Sequence, residues 1–178
     1  MTTIPRHLPR TIRLDSSDLH AFPAAAEEGE WAVSGAFAFA DADPDDLSGA
    51  WTQAFRNGLL GTESFGWSTF AAVARIDPLE VEQVVTRLAR HFVEVYGAPS
   101  LAQALPVARE EVAFAASLCD GHPPGTLITV ERAMDDTGVR EHFRTVKDSR
   151  GEMHAAIWEI APDAGPDVGP GTGEETGT

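Results

Sequence analysis

The sequence predicts an α+β domain, in which a largely antiparallel sheet of about five to six strands carries three helices on one face. Helical periodicity with capping residues occurs in the middle of the chain, whereas alternating patterns precede and follow it. The last alternating segments are separated by short turns that contain glycine, which is typical of antiparallel hairpins. The strict strand–helix alternation of a doubly wound sheet is missing.

Three segments have helical periodicity and recognisable ends, and they span residues 43–57, 77–97 and 100–119. The first two begin with Asp-Pro, at Asp43 and Asp77, which places a cap residue before a proline in the first turn. Ser100 caps the third helix. Pro106 is expected to kink this helix or to separate its first turn, because proline has no N–H to donate.

The strands and helices follow the order ββαβααβββ. The predicted strands span residues 11–15, 31–39, 65–76, 127–134, 139–147 and 153–160. The first is a short edge strand. In the second, large residues alternate with small ones, so a strand would carry its large side chains on one face. The last three are joined by short loops at 135–138 and 148–151 and therefore predict consecutive antiparallel strands.

Composition divides the chain into three parts. Residues 1–10 are expected to form a flexible N-terminus, residues 11–161 a single α+β domain, and residues 162–178 a disordered acidic tail rich in glycine and proline. This tail has almost no apolar side chains, so burial cannot offset the entropy that it would lose on ordering.

Charge and cysteine content disfavour several classes of protein. The formal net charge is −15, from 13 basic and 28 acidic residues, which repels phosphate backbones and disfavours nucleic-acid binding. No apolar run suits a membrane span or a secretory signal, so a cytoplasmic location without membrane binding is expected. The single cysteine, Cys119, cannot form a disulfide within the chain. The motifs of serine hydrolases, phosphate-binding loops and zinc proteases are missing, so the sequence gives an enzymatic role no positive support.

The end of the third predicted helix gathers residue types that can bind a metal. Cys119 and His122 have C-x-x-H spacing, and Glu111 lies two turns earlier on a similar helix face. These residues could hold a divalent metal, or His122 could activate the Cys119 thiol as a nucleophile. The competing interpretation is a core cysteine followed by a helix exit and a turn. It is favoured because a helix C-terminus disfavours the thiolate, and no cofactor is therefore predicted.

A second candidate site is basic and would bind an anion or a partner. Arg140, His142 and Arg144 alternate along one predicted strand and therefore share a face, and Arg132 lies on the preceding strand. Such a face could present guanidinium groups to a carboxylate, a phosphate or an acidic protein. Acidic residues are interleaved with these cations, however, so a solvated sheet face with cross-strand ion pairs explains the same pattern.

A third candidate lies in residues 58–70, which are dense in glycine and aromatic residues and include Phe65 and Trp67. Such a segment can line a pocket or form a contact surface. It can equally be a tight connection in which both aromatic side chains fill the core.

Five short motifs stand out along the chain. They are Arg10–Asp15, Glu30-Trp31, Phe65–Thr69, Phe114–Cys119 and Glu141–Arg144. Together they resemble a bacterial family known only as a domain of unknown function, over residues 10–147. The resemblance implies no catalytic residues. It implies genes placed near accessory genes of molybdenum-dependent oxidoreductases or near a lipoate/biotin-ligase-like protein.

These observations predict a non-catalytic accessory or interaction protein that has a protein partner, and the resemblance implies that it assists a cofactor-bearing oxidoreductase. Small size, strong acidity and an aromatic-rich segment suit partner binding, in which electrostatics sets encounter and specificity. The alternative is a metal-binding or small-molecule-binding protein, or an enzyme, that uses Cys119 and His122.

Overall fold

A computed structural model describes residues 3–43 and 45–147 of the chain. The strands within these residues are β1 (His7–Ile12), β2 (Ala32–Val33), β3 (Leu59–Gly61), β4 (Trp67–Ser68), β5 (Phe70–Arg75), β6 (Leu127–Asp135) and β7 (Gly138–Val146). The helices are α1 (Asp18–Ala21), a 3-10 helix (Ala36–Phe39), α2 (Ala50–Asn57), α3 (Pro78–Tyr96) and α4 (Leu101–Ser117). The predicted strand at 153–160 and the predicted tail at 162–178 lie outside the described residues.

The main sheet is antiparallel and has the order β1-β5-β6-β7, which confirms the predicted α+β class. β1 begins at His7, so residues 7–10, assigned above to a flexible N-terminus, are paired with β5 and place Leu8 in the core. β5 pairs with only the first two residues of β6. The rest of β6 and β7, residues 129–144, extends as a two-stranded ribbon, called the β6–β7 ribbon below.

A second, small antiparallel sheet has the order β2-β3-β4 and was not predicted. The predicted strand at 31–39 is wrong beyond Val33, because Gly35 adopts a φ of 82° and leads into the 3-10 helix. A Cβ at Gly35 would lie 2.7 Å from the Leu60 side chain and 2.8 Å from the Trp67 ring, so glycine is required there. The alternation of large and small residues therefore arises from a turn and a short helix.

The predicted strand at 65–76 is two strands that belong to different sheets. Thr69 separates them, and its N–H and hydroxyl both donate to the carboxylate of Asp18, at 3.2 and 2.6 Å. This anchor holds the chain where it leaves the small sheet at Ser68 and enters the main sheet at Phe70.

Two helix boundaries also differ from the prediction. α2 begins at Ala50 rather than at Asp43, because Asp43 stabilises an isolated turn in which its carboxylate accepts the N–H of Asp45 at 3.0 Å. α4 ends at Ser117, and Pro106 lies inside it without separating the first turn.

The main core joins α3 and α4 to buried residues of β1, the small sheet and α2. α3 begins with the predicted capping box of Asp77 and Glu80. The buried residues of the two helices are Val81, Val84, Val85, Leu88, Ala89 and Phe92 of α3 and Ala104, Ala108, Val112 and Ala115 of α4. None of the helices in the described ranges has the length and apolar character needed to cross a membrane.

Candidate functional site

The predicted thiol site is part of the hydrophobic core. Cys119 is 3% exposed and packs with Val73 and Ile128. Its Sγ donates a weak hydrogen bond to the carbonyl oxygen of Ala115 at 3.9 Å. Burial, and to a smaller extent the negative charge of Asp120, raise the pKa of the Cys119 thiol to about 12. A thiol that stays protonated at neutral pH is a poor nucleophile.

The structure does not bring the three predicted metal ligands together. His122 lies in the turn after α4, where its backbone N–H donates to the carbonyl oxygen of Cys119 at 3.1 Å. The pKa of Glu111 is instead shifted by the charges of Glu141 and Arg132. Across residues 3–43 and 45–147, no group of three or more His, Cys, Asp and Glu side chains is placed to hold a metal ion. This arrangement fits the interpretation of Cys119 as a core cysteine followed by a turn.

The buried thiol is expected to make stability fall in alkaline solution. The pKa of Cys119 is raised from 9.0 to about 12, so the thiol ionises in the unfolded chain at a lower pH than in the folded protein. Its contribution to stability is complete below about pH 9 and is lost as the pH rises towards 12. Urea unfolding across this range should show the difference in unfolding free energy between the wild type and Cys119→Ala shrinking with pH. A difference that does not change with pH would contradict the prediction.

Arg132 is fully buried at the centre of a hydrogen-bond network. Its Nε donates to Oε2 of Glu141 at 2.9 Å. Nη1 donates to the carbonyl oxygens of Phe55 and Gly58, at 3.0 and 2.7 Å, and Nη2 donates to the carbonyl oxygen of Ser34. All three nitrogens of the guanidinium group are therefore occupied by the protein itself.

This network fastens the β6–β7 ribbon to the rest of the fold. Arg132 and Glu141 are cross-strand partners in the ribbon, whereas the carbonyl groups that Arg132 contacts lie at the end of α2 and just after β2. The hydroxyl of Ser34 also donates to Glu141. A cation at the C-terminal end of a helix is favoured by the partial negative charge there. Arg132 therefore does not share the exposed face predicted for the basic site, because its side chain is used inside the protein.

Glu111 of α4 adds a third charge to this network. Burial raises the pKa of Glu111, and the carboxylates of Glu141 and Glu110 raise it further, while Arg132 opposes them. Burial also lowers the pKa of Arg132. Glu111 and Arg132, which the sequence assigned to different sites, thus interact in one partly buried charge cluster.

The other three residues of the predicted basic site are exposed on the opposite face of the ribbon, where they alternate along β7. Arg140 pairs with Asp135, and Arg144 lies 3.3 Å from a carboxylate oxygen of Glu131. His142 stands between the two arginines. Exposed pairs of this kind contribute little to stability, because solvent and salt screen them. They agree with the interpretation of a solvated sheet face.

A depression of about 410 Å³ lies next to this row of cations. Arg56 and Asn57 at the end of α2 line it together with Arg140 and His142. Glu131 lines it as well and offsets part of the positive charge, so the depression is a weak candidate for an anion site.

The structure separates the two residues of the third predicted site. Trp67 is buried, and its ring packs on that of Phe39 with centroids 5.3 Å apart. Phe65 is half-buried and stacks in parallel on His91 of α3, with centroids 3.7 Å apart. Trp67 therefore belongs to the core, and Phe65 is the residue that reaches the surface.

A buried carboxylate that belongs to none of the three predicted sites organises the loop before Phe65. Glu30 is 1% exposed, and its Oε1 accepts hydrogen bonds from the N–H groups of Glu63 and Ser64, at 2.8 and 2.6 Å. Its Oε2 accepts the N–H of Glu27 and the hydroxyl of Ser64, each at 2.6 Å. The loop is thus wrapped around one side chain, and it holds Phe65 at a φ of 54°.

An apolar groove lies where α3 ends and α4 begins, next to the 3-10 helix, and it has a volume of about 390 Å³. Its apolar walls include Phe37, Phe92, Tyr96, Pro99, Ala104 and Val107. Tyr96 is 46% exposed and Val107 is 49% exposed. Phe37 packs edge-to-face on Phe92 and Tyr96, with centroids 4.8 and 5.3 Å apart, which fixes the orientation of the rings.

Sequence reasoning missed this groove because its walls come from three separate segments. One signal was present: the apolar residues of α3 continue past the last core residue, Phe92, to Val95 and Tyr96 at the end of the helix. When the apolar residues of a helix extend beyond its buried stripe, part of its apolar surface stays exposed. Such exposed apolar surface is typical of a binding groove or an interface.

Comparison with known proteins gives a family and no function. No curated protein and no solved structure matches the chain. A family model described as a family of unknown function, DUF6505, matches residues 6–161. This match covers most of the chain and confirms the resemblance to an uncharacterised domain. The chain therefore belongs to the family of unknown function DUF6505.

Proposed function

We propose that the chain is a non-catalytic accessory protein that binds a partner protein through the apolar groove. The observation that carries the proposal is the exposure of Tyr96 and Val107 around a preformed depression of about 390 Å³. Tyrosine is among the residue types enriched at the central anchors of protein interfaces, and the buried core of an interface is more apolar than the rest of the surface. We extend the proposal to a cytoplasmic role beside a cofactor-bearing oxidoreductase, an extension that rests on the sequence resemblance.

The groove is held in shape by the core beneath it. Phe92 and Ala104 line it from below and are buried. The connection between α3 and α4 is short, and the N–H of Ala98 donates to the carbonyl oxygen of Phe92 at 3.0 Å, which closes the end of α3. A surface that is ordered before binding loses little entropy when a partner arrives.

The chemistry of the buried ionisable groups supports a non-catalytic role. Arg132 and Glu30 are occupied by hydrogen bonds to the protein, and Asp18 accepts the hydroxyl and the N–H of Thr69. Cys119 remains a protonated thiol. None of these side chains lines the groove. Tyr96 does line the groove, and burial raises the pKa of its phenol, which keeps the side chain neutral.

Val107→Glu is expected to abolish partner binding, because it places a charge on an apolar wall that the partner would desolvate. The tagged protein would be expressed in its source organism and recovered at moderate salt, and its stoichiometric companions identified by mass spectrometry. Val146→Glu is the matched control, since Val146 is 52% exposed and lies at the end of β7. The control should retain the partner.

Three results would contradict parts of this proposal. A wild-type protein that is recovered alone argues against an accessory role. Equal recovery of the partner with both valine variants would show that the partner does not bind at the groove. The double variant Arg140→Ala and Arg144→Ala would then test whether it binds the row of cations on β7. A companion that is not an oxidoreductase would contradict the proposed role beside an oxidoreductase, but not the proposed role of the groove.

A further inference from the structure

The loop beside the apolar groove is strongly acidic. Asp41 lines the groove itself, and Asp43, Asp45 and Asp46 follow it in the loop before α2. All four side chains are exposed. In the part of the chain that the structure describes, none of these four carboxylates forms an ion pair. These four residues, called the aspartate loop below, therefore present uncompensated negative charge next to an apolar depression.

The other wall of the groove does not balance this charge. The groove residues contributed by α3 and α4 are uncharged, and Glu110 follows Val107 by about one turn of α4. Arg109 is the only cation in α4, and it is bound to Glu82 by two hydrogen bonds at 2.7 and 3.0 Å. His91 of α3 lies beside Tyr96, with ring centroids 5.5 Å apart, and burial lowers the pKa of His91, which favours its neutral form. Asp41 is thus the charged residue among those that line the groove.

From this arrangement we infer that the groove binds a basic segment of the partner protein, in which a large apolar side chain is flanked by lysine or arginine residues. The apolar side chain enters the groove beside Tyr96 and Val107, and the flanking cations lie against the aspartate loop. This inference rests on the proposed function, because it names the chemistry of the partner at the same groove.

Charge gives such an interface its selectivity. The exposed carboxylates of the aspartate loop attract a basic segment and repel an acidic one, and the net charge of −15 adds attraction at longer range. The apolar contact determines how long the complex lasts, because interface changes act mostly on dissociation. The aspartate loop also excludes segments whose apolar side chain fits the groove but whose flanking residues are acidic.

The test uses two short fluorescein-labelled peptides and the full-length protein. One peptide combines leucine and lysine around a single tryptophan, and the other has glutamate in place of every lysine. Fluorescence anisotropy should detect the lysine peptide and not the glutamate peptide. Asp41→Asn combined with Asp43→Asn and Asp45→Asn should weaken binding of the lysine peptide about tenfold, and Val107→Glu should abolish it. Added salt should weaken the wild-type complex.

A charge-matched variant separates the loop from the general acidity of the protein. Glu28→Gln, Asp120→Asn and Asp136→Asn together remove the same number of exposed negative charges, and none of these residues lines the groove. This variant should bind the lysine peptide within about twofold of the wild type. An equal loss in both triple variants would overturn the inference, as would similar binding of the two peptides.

Two further outcomes separate the inference from the proposal beneath it. If the lysine peptide fails to bind while a partner recovered from cells is still lost in Val107→Glu, the groove binds a partner of other chemistry and only the inference is wrong. If the wild type forms a concentration-dependent dimer that Val107→Glu dissociates, the occupant of the groove is a second copy of this chain. Sedimentation of both proteins over a range of concentrations decides that point.

Discussion

Arg132→Met is expected to lower the free energy of unfolding by about 3–5 kcal/mol. The variant leaves Glu141 partly buried without its cation, and it leaves the carbonyl groups of Phe55, Gly58 and Ser34 without that donor. Urea unfolding followed by tryptophan fluorescence measures the loss.

Arg140→Met is the matched control, because Arg140 lies on the same ribbon but is exposed and has a surface ion pair with Asp135. It should cost less than about 1 kcal/mol. Arg132→Lys should fall between the two, since an ammonium group keeps the charge but cannot donate along three directions fixed in one plane. If Arg132→Met costs no more than the control, the network does not hold the ribbon in solution.

Glu30→Ala is expected to lower the free energy of unfolding by roughly 3 kcal/mol, because it removes the acceptor of three N–H groups in and before the loop that ends at Phe65. Hydrogen exchange at Glu63 and Ser64 should accelerate along with the loss of stability. Glu30→Gln keeps one of the two oxygens and should be milder.

The control for this position is Glu63→Ala. Glu63 is exposed, and its carboxylate lies 3.7 Å from Arg87, a distance that makes a weak surface pair. The control should leave the exchange of the Ser64 amide slow. Unchanged exchange at Ser64 in Glu30→Ala would show that the carboxylate does not organise the loop.

Two features that depend on neighbouring residues, the start of α3 and the β6–β7 hairpin, were predicted correctly from the sequence. The capping box of α3 involves Asp77 and Glu80, three positions apart, and the buried stripe of that helix repeats within each turn. The antiparallel pairing of β6 and β7 is likewise set by a short turn. Each of these patterns is complete within a short stretch of chain.

Features that depend on distant residues were not predicted. Gly35 breaks an apparent strand because the Leu60 and Trp67 side chains occupy the space beside it, and neither is a neighbour in sequence. Alternation along the β6–β7 ribbon showed which residues share a face but not that the face of Arg132 turns inward. The groove likewise required the placement of three segments.

The attachment of the β6–β7 ribbon also has a kinetic consequence. The hydrogen bonds of Arg132 to Gly58 and Ser34 join positions that are 74 and 98 residues apart. Closing such a long loop costs conformational entropy before the hydrogen bonds at its ends can stabilise the chain. Contacts of this kind therefore form late in folding. We therefore expect the ribbon to dock after the transition state, which means that weakening Arg132 speeds unfolding and leaves the rate of folding nearly unchanged. One side chain would then set the lifetime of the native protein more than the speed with which it is reached.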